Sequence, residues 1–254
     1  MKRIYAVIIF IGFLHNTYAG GFHGGHYSTT IAEKKFNFSF NFGLALPLGD
    51  FANKTALPQN DSTHAHGFAS TGFHFEIGVG YLFSKNVGIA GCLGGSVCAF
   101  DAAAYSAVYN VPPTFSVSAS GKHYVAQYLI GPYFFFPLSD NFGLEAKIMA
   151  GIITSRYPDV TIASNMPGNF QAQMYSYTLG SGFGYAFSFG GRLKVGDLMN
   201  VLATVSYIGS TVNYPGQLET ASTPSGYGYT YLSLATRSMS LGVVALTVGF
   251  GVSF

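Results

Sequence analysis

Three groups of residues have types and spacings that chemistry could use. His64-Ala65-His66 follows Asp61 and Ser62 closely. Two imidazoles with a carboxylate can ligate a metal ion, and a histidine beside a serine can serve acyl transfer. A spacing of two is awkward for a shared tetrahedral ion unless the segment turns, and no third strong ligand is nearby in sequence. These are therefore read as solvated loop residues, with no metal, cofactor or catalytic set assigned. His23 and His26, in a glycine-rich N-terminal stretch, read the same way. Cys92 and Cys98 form the second group. On one straight strand they are about 20 Å apart, well beyond the roughly 7 Å limit for a disulfide. A bond requires Gly94-Gly95 to bend the segment, and two small inward-facing thiols are expected instead. The third group is His74, Glu76, Glu145, Lys147 and Arg192, whose meaning depends on the elements that carry them. The loops hold no acidic triad, no glycine-rich phosphate cradle and no nucleophile elbow, so no enzyme activity is expected.

Those elements read as eight segments in which large apolar residues alternate with small or polar ones, the period of a β-strand. They lie at about 36–46, 71–83, 87–99, 122–136, 142–154, 173–192, 200–212 and from about 238 to the end. The second sets Phe73, Phe75, Ile77, Val79, Tyr81 and Phe83 opposite His74, Glu76, Gly78 and Gly80. Connections at about 84–86, 137–141 and 193–199 are short. Those at about 48–70, 100–121, 155–172 and 213–236 are around twenty residues each and rich in Pro, Ser, Thr, Asn and Gly. Short and long alternate in order, as in an even-stranded barrel with short turns at one end and long loops at the other. Each segment reaches the roughly 9–11 residues a strand needs to cross a membrane. Ten strands result if the loops at 100–121 or 213–236 pair internally.

A secreted β-sandwich also has period-two strands, and the charges separate the two architectures. Charged residues are only 9% of the chain, against roughly 25% in ordinary soluble domains. Glu76, Glu145, Lys147 and Arg192 all fall on the small-residue face, and no charge falls mid-strand on the aromatic face. Lysine or arginine on the lipid face at the midplane costs about 2–4 kcal/mol, whereas a soluble fold has no reason to keep that face clear. The small-residue face suits the cramped interior of a small barrel. There His74, Glu76, Glu145, Lys147 and Arg192 are expected to form a paired polar network, because an unpaired buried charge is costly. Aromatic residues at strand ends (Tyr81, Phe83, Phe134, Phe136, Tyr207, Tyr214) suit interfacial girdles. Gly91, Gly94 and Gly95 are read as a bare patch on the outside of the third strand.

Residues 1–19 have a basic start, an apolar run from Ile4 to Leu14 and Thr17-Tyr18-Ala19 before the expected cut, the pattern of a secretory signal peptide. Residues 20–254 then form one barrel domain with ten cations and ten anions, leaving no basic surface for nucleic acid. The last strand alternates Leu246, Val248, Phe250, Val252 and Phe254 with small residues. A strand of this kind ending on an aromatic residue resembles the assembly signal of outer-membrane barrels. With the Phe-x-Phe-x-Phe strand at 36–40 and the Pro47-Leu48-Gly49-Asp50-Phe51 exit, the mature chain resembles the small bacterial outer-membrane barrels typified by the OmpA membrane domain, OmpX, OmpW and the opacity-type surface antigens. No peptidoglycan-binding domain of the OmpA kind is expected.

The resemblance implies an all-β transmembrane antiparallel barrel in the bacterial outer membrane. Its expected partners are outer-membrane lipid and lipopolysaccharide, the barrel-assembly machinery, and a host or cell-surface ligand; a monomer is expected. That family contains adhesins, structural proteins, small-solute channels and a few lipid-modifying enzymes, so it constrains activity weakly. A structural and adhesive role through the loops is the leading expectation. A narrow porin-like channel for small or apolar solutes is the alternative, and a lipid-modifying enzyme a distant third. Loop tyrosines (Tyr105, Tyr109, Tyr157, Tyr227, Tyr229, Tyr231) suit either a binding surface or strands lengthened beyond the membrane.

Overall fold

The computed structural model describes residues 35–57, 64–164, 172–176, 179–215, 217–222, 229–234 and 236–253. The expected signal peptide, His23, His26, Asp61, Ser62, Tyr227 and Phe254 lie outside these residues. In chain order the elements are β1 (Phe36–Leu48), a 3-10 turn (Gly49–Phe51), β2 (Ala69–Leu82), β3 (Val87–Phe100), helix α1 (Ala102–Val108), β4 (Phe115–Ser120) and β5 (His123–Pro137). They continue as β6 (Phe142–Arg156), β7 (Asp159–Ser164), β8 (Ala172–Ser176), β9 (Gly180–Lys194), β10 (Met199–Tyr214), β11 (Gln217–Ser222), β12 (Tyr229–Leu234) and β13 (Arg237–Ser253).

Eight of the strands close into an antiparallel barrel in the order β1-β13-β10-β9-β6-β5-β3-β2. Closure follows from pairing the first strand with the last, Phe38 opposite Val252 and Leu44 opposite Leu246. Every strand of the wall therefore has two neighbours, and no backbone edge faces lipid. The period-two pattern sorts the side chains. Phe40, Phe75, Ile77, Leu93, Ile130, Ile148, Phe187, Val205 and Phe250 point outward and form an exposed apolar belt. Asn41, Glu76, Gln127, Glu145 and Ser188 on the same strands are buried inside. Among the described residues of the barrel strands, the charged side chains that are not buried are Arg156, Lys194 and Arg237, all at strand ends. An apolar belt without charges around a closed wall makes this a transmembrane barrel.

The remaining five strands form a second sheet in the order β12-β11-β8-β7-β4. Each leads directly into or out of a barrel strand: β4 into β5, β6 into β7, β8 into β9, β10 into β11 and β12 into β13. The order of the second sheet repeats that of the barrel strands to which its members connect. Five of the eight wall strands thus resume beyond the belt, while β1, β2 and β3 do not. Three of the five interruptions fall at Pro158, Gly121 (φ +90°) and Pro215, residues that break a ladder or permit a left-handed turn. The two sheets share one core, in which Val160 of β7 joins Ile153, Tyr157 and Tyr214.

Several expectations change. The segment at 173–192 is divided between β8 and β9, which pair in different sheets. The loop at 213–236 does pair internally, Thr220 opposite Tyr231, but this hairpin extends the wall and adds no ninth barrel strand. Tyr214 is not an interfacial residue; it is 1% exposed and points inward. On β3, Gly94 faces inward against Glu76, and Leu93 and Ile89 clothe the outer face. Cys92 and Cys98 are two buried free thiols on a continuous strand.

Candidate functional site

The interior near the short-turn end is held by a charge cluster. β6 places Glu145 and Lys147 two residues apart on its inner face, and Arg192 of the neighbouring β9 lies one register step away, with Gly143 opposite it. Arg192 Nη2 donates to Glu145 Oε2 at 2.7 Å and to Asn37 Oδ1 at 3.2 Å, while Nη1 donates to Ser253 Oγ at 3.3 Å. Lys147 Nζ lies 3.2 Å from Glu145 Oε1, a charge contact without hydrogen-bond alignment. The Tyr133 hydroxyl donates to Glu145 Oε2 at 3.3 Å. The guanidinium also sits over the Phe135 ring at 5.7 Å, and the ammonium 6.0 Å from the centre of the Tyr133 ring. Small residues make room for these long side chains: Phe135 leans into the space above Gly143, where a Cβ would collide with its ring.

Farther up the interior, Gln127 Nε2 donates to Glu76 Oε2 at 3.1 Å, and His74 Nδ1 lies 2.9 Å from Ser96 Oγ. Ser206 and Ser188 hydroxyls bond across β9 and β10 at 2.9 Å. The five interior residues singled out in the sequence are all buried, from 1% exposed for His74 and Glu145 to 7% for Lys147. Glu145, Lys147 and Arg192 form one cluster. Glu76 and His74 belong to separate hydrogen-bonded pairs higher in the barrel. Sequence reasoning missed Asn37, Ser96, Gln127, Tyr133 and Ser253 as their partners. The signal that could have found them is the inward phase of each strand, which for β5 is obscured by aromatic residues on both faces.

The opposite end is closed by an aromatic cap. The β1–β2 loop folds inward, with Phe51 and Phe68 at 0% and 1% exposure. His123 Nε2 lies 2.7 Å from the Gly67 carbonyl. A carbonyl can only accept, so Nε2 carries the proton and Nδ1 the lone pair. The imidazole packs edge-on against Phe51 and Tyr157 at 5.1 and 4.7 Å between ring centres. The Tyr157 hydroxyl donates to the His66 carbonyl at 2.8 Å, and Tyr214 donates to Ser155 Oγ at 2.9 Å. Backbone bonds from Ala65 to Ser238 and from Asp101 to Phe68 complete the closure. Tyr157 and Tyr105 are therefore cap packing, with Tyr105 against Phe68 at 5.2 Å, whereas Tyr109 is exposed, at 41%.

His66 is held within this loop, Nδ1 2.7 Å from the Thr55 carbonyl and Nε2 3.3 Å from Asn53 Nδ2. His64 is exposed and bridges to Ser238. Among the described residues no three His, Cys, Asp or Glu side chains come together as a metal site. Taken as a whole, the interior carries matched charges, two anions and two cations, inside a barrel whose eight strands leave room for side chains and little else.

No protein-family model and no curated protein matches the chain. Among solved structures, the chain is similar to the attachment invasion locus protein of Yersinia pestis at 12% identity, covering 87% of this chain and 99% of that one with a TM-score of 0.42. Neisserial surface protein A aligns at 11% identity over 86% of this chain and 97% of its own, TM-score 0.43. A major outer membrane protein from Thermus thermophilus aligns at 9% identity over 86% and 99%, TM-score 0.48.

Proposed function

We propose that this protein is a monomeric, non-enzymatic surface protein of a bacterial outer membrane that binds a host or cell-surface partner through its long-loop end. The observation that carries this reading is the second sheet. Five wall strands continue past the apolar belt, where a barrel serving only as a membrane plug would end them. Among the described residues the continuation is open, with β4 and β12 as its edge strands, and an exposed edge is a template for partner chains. On β4 the outward positions are Ser116, Ser118 and Ser120, without a charge or proline to block pairing.

A conducting channel is the weaker reading. The Glu145–Arg192–Lys147 cluster occupies the interior at one end and the Phe51–His123–Tyr157 cap covers the other. Outer-membrane lipid surrounds the belt, and the barrel-assembly machinery inserts the chain in this reading. Cells displaying the native protein should bind target cells. Cells displaying a variant in which Asp159–Ser176 is replaced by a short turn should lose that binding while the barrel still shows a mobility shift between unboiled and boiled gel samples. Unchanged binding by the variant, or discrete conductance steps from pure native protein in planar bilayers, would reject the proposal.

A further inference from the structure

On the lipid-facing wall, where β9, β10 and β13 adjoin, there is a cleft of about 310 Å³ lined by Phe183, Tyr185, Tyr207, Thr211 and Ser240 among others. Ligand clefts begin at about this size. Beside it two outward-facing glycines, Gly209 and Gly242, stand opposite each other in the β10–β13 register, so neither adds a side chain to the outer wall there. The Tyr185 ring leans over Gly209, where a Cβ would lie 2.6 Å from its Cζ and 2.7 Å from its hydroxyl oxygen. Tyr207 is tilted beside it with ring centres 6.1 Å apart.

The cleft sits at the upper boundary of the apolar belt. Below it the outward residues are Val205, Leu246 and Phe187, all lipid-facing. Its upper rim carries Thr211 and Ser240, and Asn213 is the next outward position of β10 beyond them. It is therefore continuous with the lipid contact surface of the barrel, apolar on its membrane side and hydroxyl-bearing toward the long loops. No charged side chain lines it. An uncharged cleft of that polarity fits an acyl chain with its carbonyl and neighbouring hydroxyl, and it offers a phosphate no cation.

We infer that this cleft seats one acyl chain of lipid A, the chain's amide or ester carbonyl and 3-hydroxyl meeting the hydroxyls at the rim. The assignment to lipid A rests on the outer-membrane location and loop orientation proposed above, since that orientation opens the cleft into the lipopolysaccharide leaflet. Such a chain would fix one face of the barrel relative to the surrounding lipid.

Native mass spectrometry of the folded barrel, released from neutral micelles doped with purified hexa-acyl lipid A or with palmitoyl-oleoyl phosphatidylethanolamine, tests this. The native protein and the far-wall variant Leu93→Phe should each retain one lipid A, and Ser240→Phe, which fills the cleft from an exposed position, should retain at least tenfold less. The gel mobility shift checks that each variant is folded. Equal retention by Ser240→Phe overturns the site. Retention of the phospholipid in place of lipid A, lost in Ser240→Phe, overturns the lipid A assignment. Membrane fractionation reads the location separately: sedimentation with the inner membrane rejects the location and leaves the binding result to be judged by itself.

Discussion

Glu145 is the residue on which the interior depends, because it faces both Arg192 and Lys147. Glu145→Gln removes the carboxylate in contact with both buried cations. Breaking a buried pair in this way costs about 3–5 kcal/mol, so the midpoint of urea unfolding in micelles should fall sharply. Replacing all three together, as Glu145→Leu, Lys147→Leu and Arg192→Met, removes the uncompensated charge and should restore much of the loss. A second residue-scale prediction concerns Asp101, which caps α1 through the Ala104 amide and accepts from Lys54 at 2.6 Å. The Lys54 ammonium, followed by the Ala104 amide, holds its carboxylate below the ordinary value of 3.8. A depressed carboxylate stabilises the fold fully above its unfolded value, and that contribution is lost as pH falls through the folded value. The pair is partly exposed, so it contributes up to about 1 kcal/mol. Pepsin cleavage near α1 should therefore increase below pH 3.8 relative to Asp101→Asn, whose susceptibility lacks that dependence. A constant ratio of the two would contradict the assignment. The inward placement of Glu76, Glu145, Lys147 and Arg192 was legible because period two allows each only two faces. Gln127 and Tyr133 were not legible as their partners, since β5 carries Tyr124 and Tyr128 outside and Tyr133 and Phe135 inside, and hydropathy alone cannot phase such a strand.

At the scale of elements, seven of the eight barrel strands could be read to within a few residues, because each must carry an apolar face across the bilayer; the start of β9 at Gly180 could not. The second sheet could not. Between 173 and 192 the large residues keep one phase from Tyr175 to Phe189, missed only at Ser181, yet β8 pairs with β7 and β11 while β9 pairs with β6 and β10. Local pattern reports that a residue is in a strand, and long-range register decides which sheet the strand joins. The thiols of β3 give an independent check on that strand. Cys92 and Cys98 should stay unbonded, so the intact mass under non-reducing conditions should be that of the dithiol, with maleimide labelling appearing only on unfolding. A mass lower by two hydrogens would require β3 to be redrawn around Gly94-Gly95.

For the whole molecule, the belt sets the energetic frame. Ile148 and Phe187 stand opposite each other near the middle of β6 and β9, facing lipid. Phe187→Lys should lower stability in bilayers by about 2–4 kcal/mol, measured by reversible unfolding from vesicles, and Phe187→Leu should be close to neutral. An equal effect of both would argue against lipid contact there. The lopsided crown above the belt has a further consequence, set by chain polarity. β4 feeds β5 and β12 feeds β13, and both of those wall strands descend toward the short-turn end, so both free edges also descend. Any neighbour inserted in the same membrane presents its own edges descending as well, and two such edges can meet only in the parallel sense. A chain arriving from outside with the opposite sense is free to pair antiparallel. Like molecules crowded in the membrane plane can therefore join these edges only as parallel pairs, the slightly weaker ladder, and antiparallel pairing at the crown is left to chains that are not fixed in the same membrane orientation.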